Sequence, residues 1–226
     1  GNDLISALGG ADDIDGGAGH DEIYGGDGDD TVLGQSGDDV LLGNAGHDHI
    51  EGGTGHDVLL GNSGNDNLYG GAGDDMMLAG TGNDTVMGQD GDDVIAAETG
   101  NNHIEGGAGQ DVLYGGDGND YLEGGSGTDF ILAGGGDNAI IGGTGDDHML
   151  AADGIDRFVF ATGDGTDHVY AYDPSQDILV FDGPQQLSDL TIDYYGATVG
   201  IEYDGGFVIL IDALQSVGDT LNIEFI

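Results

Sequence analysis

From residue 1 to residue 158 the chain repeats a nine-residue pattern, Gly-Gly-x-Gly-x-Asp-x-apolar-x, without one insertion. Its clearest copies are 16–24, 106–114 and 115–123. The fourth position is Gly at Gly1, Gly10, Gly19 and every ninth residue through Gly154; the eighth is apolar from Ile5, Ile14 and Ile23 through Met149 and Phe158. A unit this short cannot bury its apolar residue alone, so a fixed period of this kind specifies a solenoid in which each unit stacks on its neighbours.

Each position in the unit has a physical task. The glycines allow positive φ and close approach of carbonyl groups, as a tight turn around a cation requires. The Asp at the sixth position supplies a hard carboxylate oxygen. The last three residues are expected to form a short strand, outward, inward, outward, with the eighth side chain in the core. Calcium suits such a site because it takes about 6–8 oxygen ligands, carbonyls included, in flexible geometry. The chain has no Cys, which removes thiolate and disulfide chemistry.

One Lys+Arg stands against 45 Asp+Glu, a formal charge of −44 that opposes compaction unless cations neutralise it. Nucleic acid and anionic membrane surfaces are therefore poor partners, and neither nucleic-acid binding nor membrane insertion is expected. No stretch reaches the roughly 20 apolar residues of a spanning helix, and no basic, apolar-cored leader opens the sequence. Residue 1 falls in mid-repeat, so the chain reads as the C-terminal piece of something longer.

The nonapeptide resembles that of the repeats-in-toxin family. The resemblance implies an all-β fold, a right-handed parallel β-roll with two nonapeptides per coil, and calcium ions between stacked turns on both edges. It also implies export from the bacterial cell in an unfolded state and folding in extracellular calcium. Splitting the Asp column by the eighteen-residue coil gives the expected metal residues. One edge carries Asp3, Asp21, Asp39, Asp57, Asp75, Asp93, Asp111, Asp129 and Asp147; the other carries Asp12, Asp30, Asp48, Asp66, Asp84, Asn102, Asp120, Asn138 and Asp156. All five Ala-for-Gly replacements at the first position (Ala7, Ala79, Ala97, Ala133, Ala151) fall on the second edge. Asn keeps a carbonyl ligand and loses the charge, so weaker or empty sites are expected at Asn102 and Asn138.

The outward strand positions distinguish the two sheets. One sheet should present a nearly continuous apolar strip, Val40, Leu42, Val58, Leu60, Met76, Leu78, Val94, Val112, Tyr114, Phe130 and Leu132. Such a strip suits a second copy, a preceding domain of the same protein, or cover by the C-terminal segment. The other sheet presents mixed residues, among them His49, Glu51, Tyr69, His103, Glu105 and Tyr121.

After Phe158 the phase breaks, dividing the chain into a roll, 1–158, and a β-rich cap, 159–226. Cap strands are expected at His168–Tyr172, Ile178–Phe181, Leu190–Tyr194, Val199–Tyr203, Phe207–Ile211 and Leu221–Ile226, and Asp164 and Asp167 are candidates for one last calcium. The ending Asn222-Ile-Glu-Phe-Ile226 is similar to an uncleaved type I secretion signal, and an edge strand accounts for the same residues. Arg157 is expected to pair with nearby Asp residues.

No catalytic constellation is legible. The seven histidines lack His-Glu-x-x-His spacing and read as solvated residues, and there is no Gly-x-Ser-x-Gly elbow or phosphate loop. The expected function is a calcium-binding structural and secretion module of a secreted, extracellular bacterial protein. The alternatives are the C-terminal domain of an extracellular protease, lipase or polysaccharide epimerase, or an adhesin.

Overall fold

In each nonapeptide the residues after the Asp run extended and the glycines turn the chain, so successive units are laid alternately into two sheets. The computed structural model describes residues 1–183, 191–195, 198–203, 206–211 and 221–226. A thirteen-stranded first sheet and an eleven-stranded second sheet take alternate strands of the chain. Within the repeats every partner lies eighteen residues away, as in Glu22↔Val40 and Val58↔Met76 in the first sheet and Thr31↔His49 in the second, all parallel. The chain is the β-roll expected of its repeat.

The core is two facing columns of eighth-position side chains. Ile23, Val32, Leu41, Ile50 and Leu59 are fully buried, and the columns continue through Ile140 and Met149 to Phe158. Burying one such side chain stabilises the fold by roughly 1.5–3 kcal/mol. Most strands are six residues long rather than the expected three, for example Glu22–Asp27 and Val58–Ser63. The extra length arises because the strand runs on through the first position of the next unit and its second and third positions also pair, as in Gly26↔Asn44 and Asp27↔Ala45. The first position therefore points inward too, which is why Ala79, Ala97 and Ala133 are fully buried.

Two turn positions require positive φ. At the fourth, Gly37 has φ 120° and a Cβ there would fall on the carbonyl oxygen of Gly19 in the coil before it, so only glycine fits. At the second, non-glycine residues are forced left-handed: Gln35 at φ 78°, Asn44 at 78°, Asn62 at 74°, Gln89 at 80° and Glu98 at 69°. Each costs on the order of 1 kcal/mol relative to an ordinary conformation.

Both sheets continue beyond residue 158. The offset between partners becomes 20 at His148↔His168 and 21 at Arg157↔Ile178, so two short insertions are absorbed in loops while the stacking goes on. Gly206–Ile211 adds to the first sheet in parallel, followed by Thr198–Tyr203 and Thr191–Tyr195, both antiparallel to their neighbours. Ile223–Phe225 closes the second sheet. The strand expected at His168–Tyr172 lies two residues earlier, at Thr166–Tyr170, because the Asp column resumes at Asp167. The last strand is shorter than expected, and Leu190 lies outside the described residues.

Aromatic side chains fill the C-terminal end of the core. Phe181 lies 5.4 Å from Phe160, 5.2 Å from Tyr203 and 6.0 Å from Phe225 between ring centroids. Arg157 pairs not with a nearby Asp but with Glu224, at 2.8 Å, because the final strand is laid two places away in the same sheet.

Candidate metal centre

The sixth-position Asp ends each glycine turn and begins each strand, which aims its carboxylate back into the turn. From Asp21 to Asp156 these side chains are 0–3% exposed, and Asn102 and Asn138 are equally buried. One oxygen is used by the backbone: the N–H of each column residue from Asp3 to Asp129 donates to the Oδ1 of the column residue one coil later, at 2.7–2.9 Å. The other oxygen is left without a partner. Fifteen of them, Oδ2 of Asp12, Asp21, Asp30, Asp39, Asp48, Asp57, Asp66, Asp75, Asp84, Asp93, Asp111, Asp120, Asp129, Asp147 and Asp156, are buried and unbonded. Leaving one such charged atom unpaired is costly.

A hollow over the first-position glycine faces twelve of these oxygens; at Asp12, Asp84 and Asp156 the first position is Ala7, Ala79 and Ala151 instead. A Cβ on Gly34 would lie 2.5 Å from Asp39 Oδ2 and 2.7 Å from the carbonyl oxygen of Gly52 in the next coil. Carboxylate and carbonyl oxygens thus converge on space that glycine leaves open. Among the described residues no three acidic, His or Cys side chains come together as a metal cluster. An ion held here must therefore draw on backbone carbonyls, an all-oxygen donor set suited to calcium.

The electrostatics point the same way. Burial raises Asp57, Asp66, Asp75, Asp111, Asp129, Asp147 and Asp156 to about 6 and Asp93 to about 7. Neighbouring column carboxylates, such as Asp75 and Asp111 around Asp93, add to the rise. A divalent ion reverses this balance by favouring the ionised form.

Two turns are built differently. Asn138 Nδ2 donates to Gly136 O at 3.1 Å and to Asp156 Oδ1 at 2.9 Å, and Asn102 Nδ2 donates to Gly100 O at 3.4 Å. An amide donor occupies the hollow, and both turns also carry the Ala Cβ of Ala97 and Ala133 at the first position. These residues fit an ion poorly. Asp3, at the N-terminal end, is exposed.

The column continues into the cap. Asp167 accepts the Asp147 N–H at 3.2 Å and is raised by burial to about 8. Asp164 is 6% exposed and accepts the Ala161 N–H. Asp177, which the repeat does not reveal, accepts the Asp156 N–H at 3.1 Å and the Asp173 N–H at 2.7 Å. Its carboxylate is satisfied by backbone and ends the column on that edge. The available signal was its place immediately before the strand Ile178–Phe181, where every column Asp stands.

A second ladder runs along the outside. Fifth-position side chains accept the N–H of the residue one coil later: Asp29 from His47, Asn65 from Asn83, Asp92 from Gln110. His20, His47 and His56 do so through Nδ1, from Asp38, Asn65 and Asp74 at 2.7–2.9 Å. These exposed histidines are thus turn caps as well as solvated residues.

A family model of the RTX calcium-binding nonapeptide repeat matches residues 1–23, 24–59, 51–86, 87–122 and 123–158. The chain belongs to that RTX family. The RTX repeat solenoid is a structural module rather than a catalytic fold. No curated protein matches the chain. Among solved structures, the extracellular lipase LipA from Serratia marcescens is similar at 18% identity and a TM-score of 0.31 over 87% of this RTX chain, which spans 38% of that lipase.

Proposed function

We propose that this RTX chain is a calcium-dependent structural and secretion module, which folds when it meets calcium outside the bacterial cell and there serves as a rigid scaffold or assembly surface of a secreted protein. The observation that carries the reading is the row of fifteen buried, unbonded Asp oxygens, twelve of them beside a glycine hollow. Calcium would be held by the Asp column and turn carbonyls, supplying the positive charge that the buried carboxylates lack. An ion at ten times its dissociation constant stabilises the native state by about 1.4 kcal/mol. Twelve such ions would contribute about 17 kcal/mol, more than the whole stability of an ordinary domain. Folding is then decided by calcium.

Circular dichroism and sedimentation velocity in millimolar calcium and in chelator test this. The expected result is a compact β-structure in calcium and an expanded chain in chelator; an unchanged chain overturns the reading. On the same proposal the apolar strip is the face on which a second copy or a preceding part of the same protein docks. Val40, Met76, Val94, Tyr114 and Phe130 are 38–48% exposed there, and the described cap strands extend the first sheet end-on rather than lie over it.

A further inference from the structure

Second-position residues on the second sheet form one row along the roll, in the order Gln35, Gly53, Gly71, Gln89, each paired with the next across adjacent strands. The two glycines leave a bay beside Gln89. Glu51, Tyr69 and Gln89 wall the bay, and Gly53, Gly70 and Gly71 floor it. The walls are braced. The His49 ring packs at 5.3 Å against Tyr69, and His49 Nε2 donates to Glu51 Oε1 at 2.7 Å.

Both glutamines hold positive φ, 78° and 80°, at a position where glycine is free of strain. Gln is not a residue that adopts this conformation readily. Gln89 carries this strain at the wall of the bay, as Asn44, Asn62 and Glu98 carry it at the same position elsewhere in the roll.

The geometry points to a saccharide-binding bay that takes one neutral sugar unit of a glycan. The Tyr69 ring offers an apolar face for the C–H side of a pyranose. Glu51 accepts hydroxyl protons, and the Gln89 amide both donates and accepts, which is the complement of adjacent hydroxyl groups. Neutral sugars are selected because no basic side chain lines the bay and the chain carries −44 overall, which repels uronates and sulfated glycans. Glu51 is already engaged by His49, so the bay is not built around a free cation.

Saturation-transfer NMR on the calcium-loaded chain, with cellobiose, maltose and lactose as probes and digalacturonate as the acidic control, tests the proposal. Transfer to at least one neutral disaccharide and none to digalacturonate is expected. Tyr69→Ala should weaken that binding on the order of ten-fold. Gln89→Gly should also weaken it while raising the melting temperature, a divergence that general damage to the fold would not produce. Calcium-dependent folding of each variant, followed by circular dichroism, separates this result from the calcium reading. Absence of transfer to every neutral probe, preference for digalacturonate, or unchanged affinity in Tyr69→Ala would overturn it.

Discussion

At the residue scale the sixth position decides whether a turn needs an ion. Asp leaves Oδ2 unbonded, whereas Asn138 turns an amide into the same space and bonds Gly136 O and Asp156. Asn138→Asp should therefore raise the calcium bound per chain, measured by mass spectrometry of the dialysed protein, and should make the turn harder to form in chelator. An unchanged ion count would show that the amide turn already holds calcium. The fourth position decides whether coils can stack at all. Gly55→Ala places a Cβ on the carbonyl oxygen of Gly37 at a φ of 146°, and thermal melts in calcium should show a loss of more than about 2 kcal/mol.

At the element scale, strand identity was legible because one apolar residue every nine positions leaves no other burial pattern, and the Asp column followed from the same phase. The glycine positions were not legible as strand, because their pairing is imposed by the stacked coil and not by β-propensity, as Gly26↔Asn44 illustrates. Asp177 escaped because a three-residue insertion moved it out of phase, and Arg157 found Glu224 through a long-range strand pairing that local sequence does not encode. The paired strands also set the response to pH. With their folded values raised from 3.8 to about 6 or 7, the buried Asp residues support the metal-free roll fully below about pH 4, and that support is lost as pH rises through 6–7. Calcium requires the ionised form, so the loaded roll has the opposite dependence and loses stability as pH falls. Circular dichroism from pH 8 to pH 4 should show β-structure gained in chelator and lost in calcium. Parallel curves in the two conditions would contradict the metal reading.

At the scale of the whole molecule, stability is a sum of nearest-neighbour terms along one axis, and the apolar strip is the surface we propose for assembly. Six coils at about 4.8 Å give a strip roughly 30 Å long. Val58→Lys with Val112→Lys should convert any dimer seen by sedimentation velocity in calcium to monomer, with calcium-dependent folding intact. Dimers that persist in this double variant would place the interface elsewhere.

The inner ladder has a direction. Each buried Asp N–H is closed by a carboxylate of the following coil, so every coil depends on its successor, and the series ends where Asp167 and Asp177 close it from the cap. Within this ladder, coils removed from the N-terminal end leave carboxylate oxygens, which water solvates readily, whereas coils removed from the other end leave the Asp amide groups without their carboxylate acceptor. The inner ladder thus reads like a ruler with its zero mark in the cap, graduated coil by coil toward the opposite end.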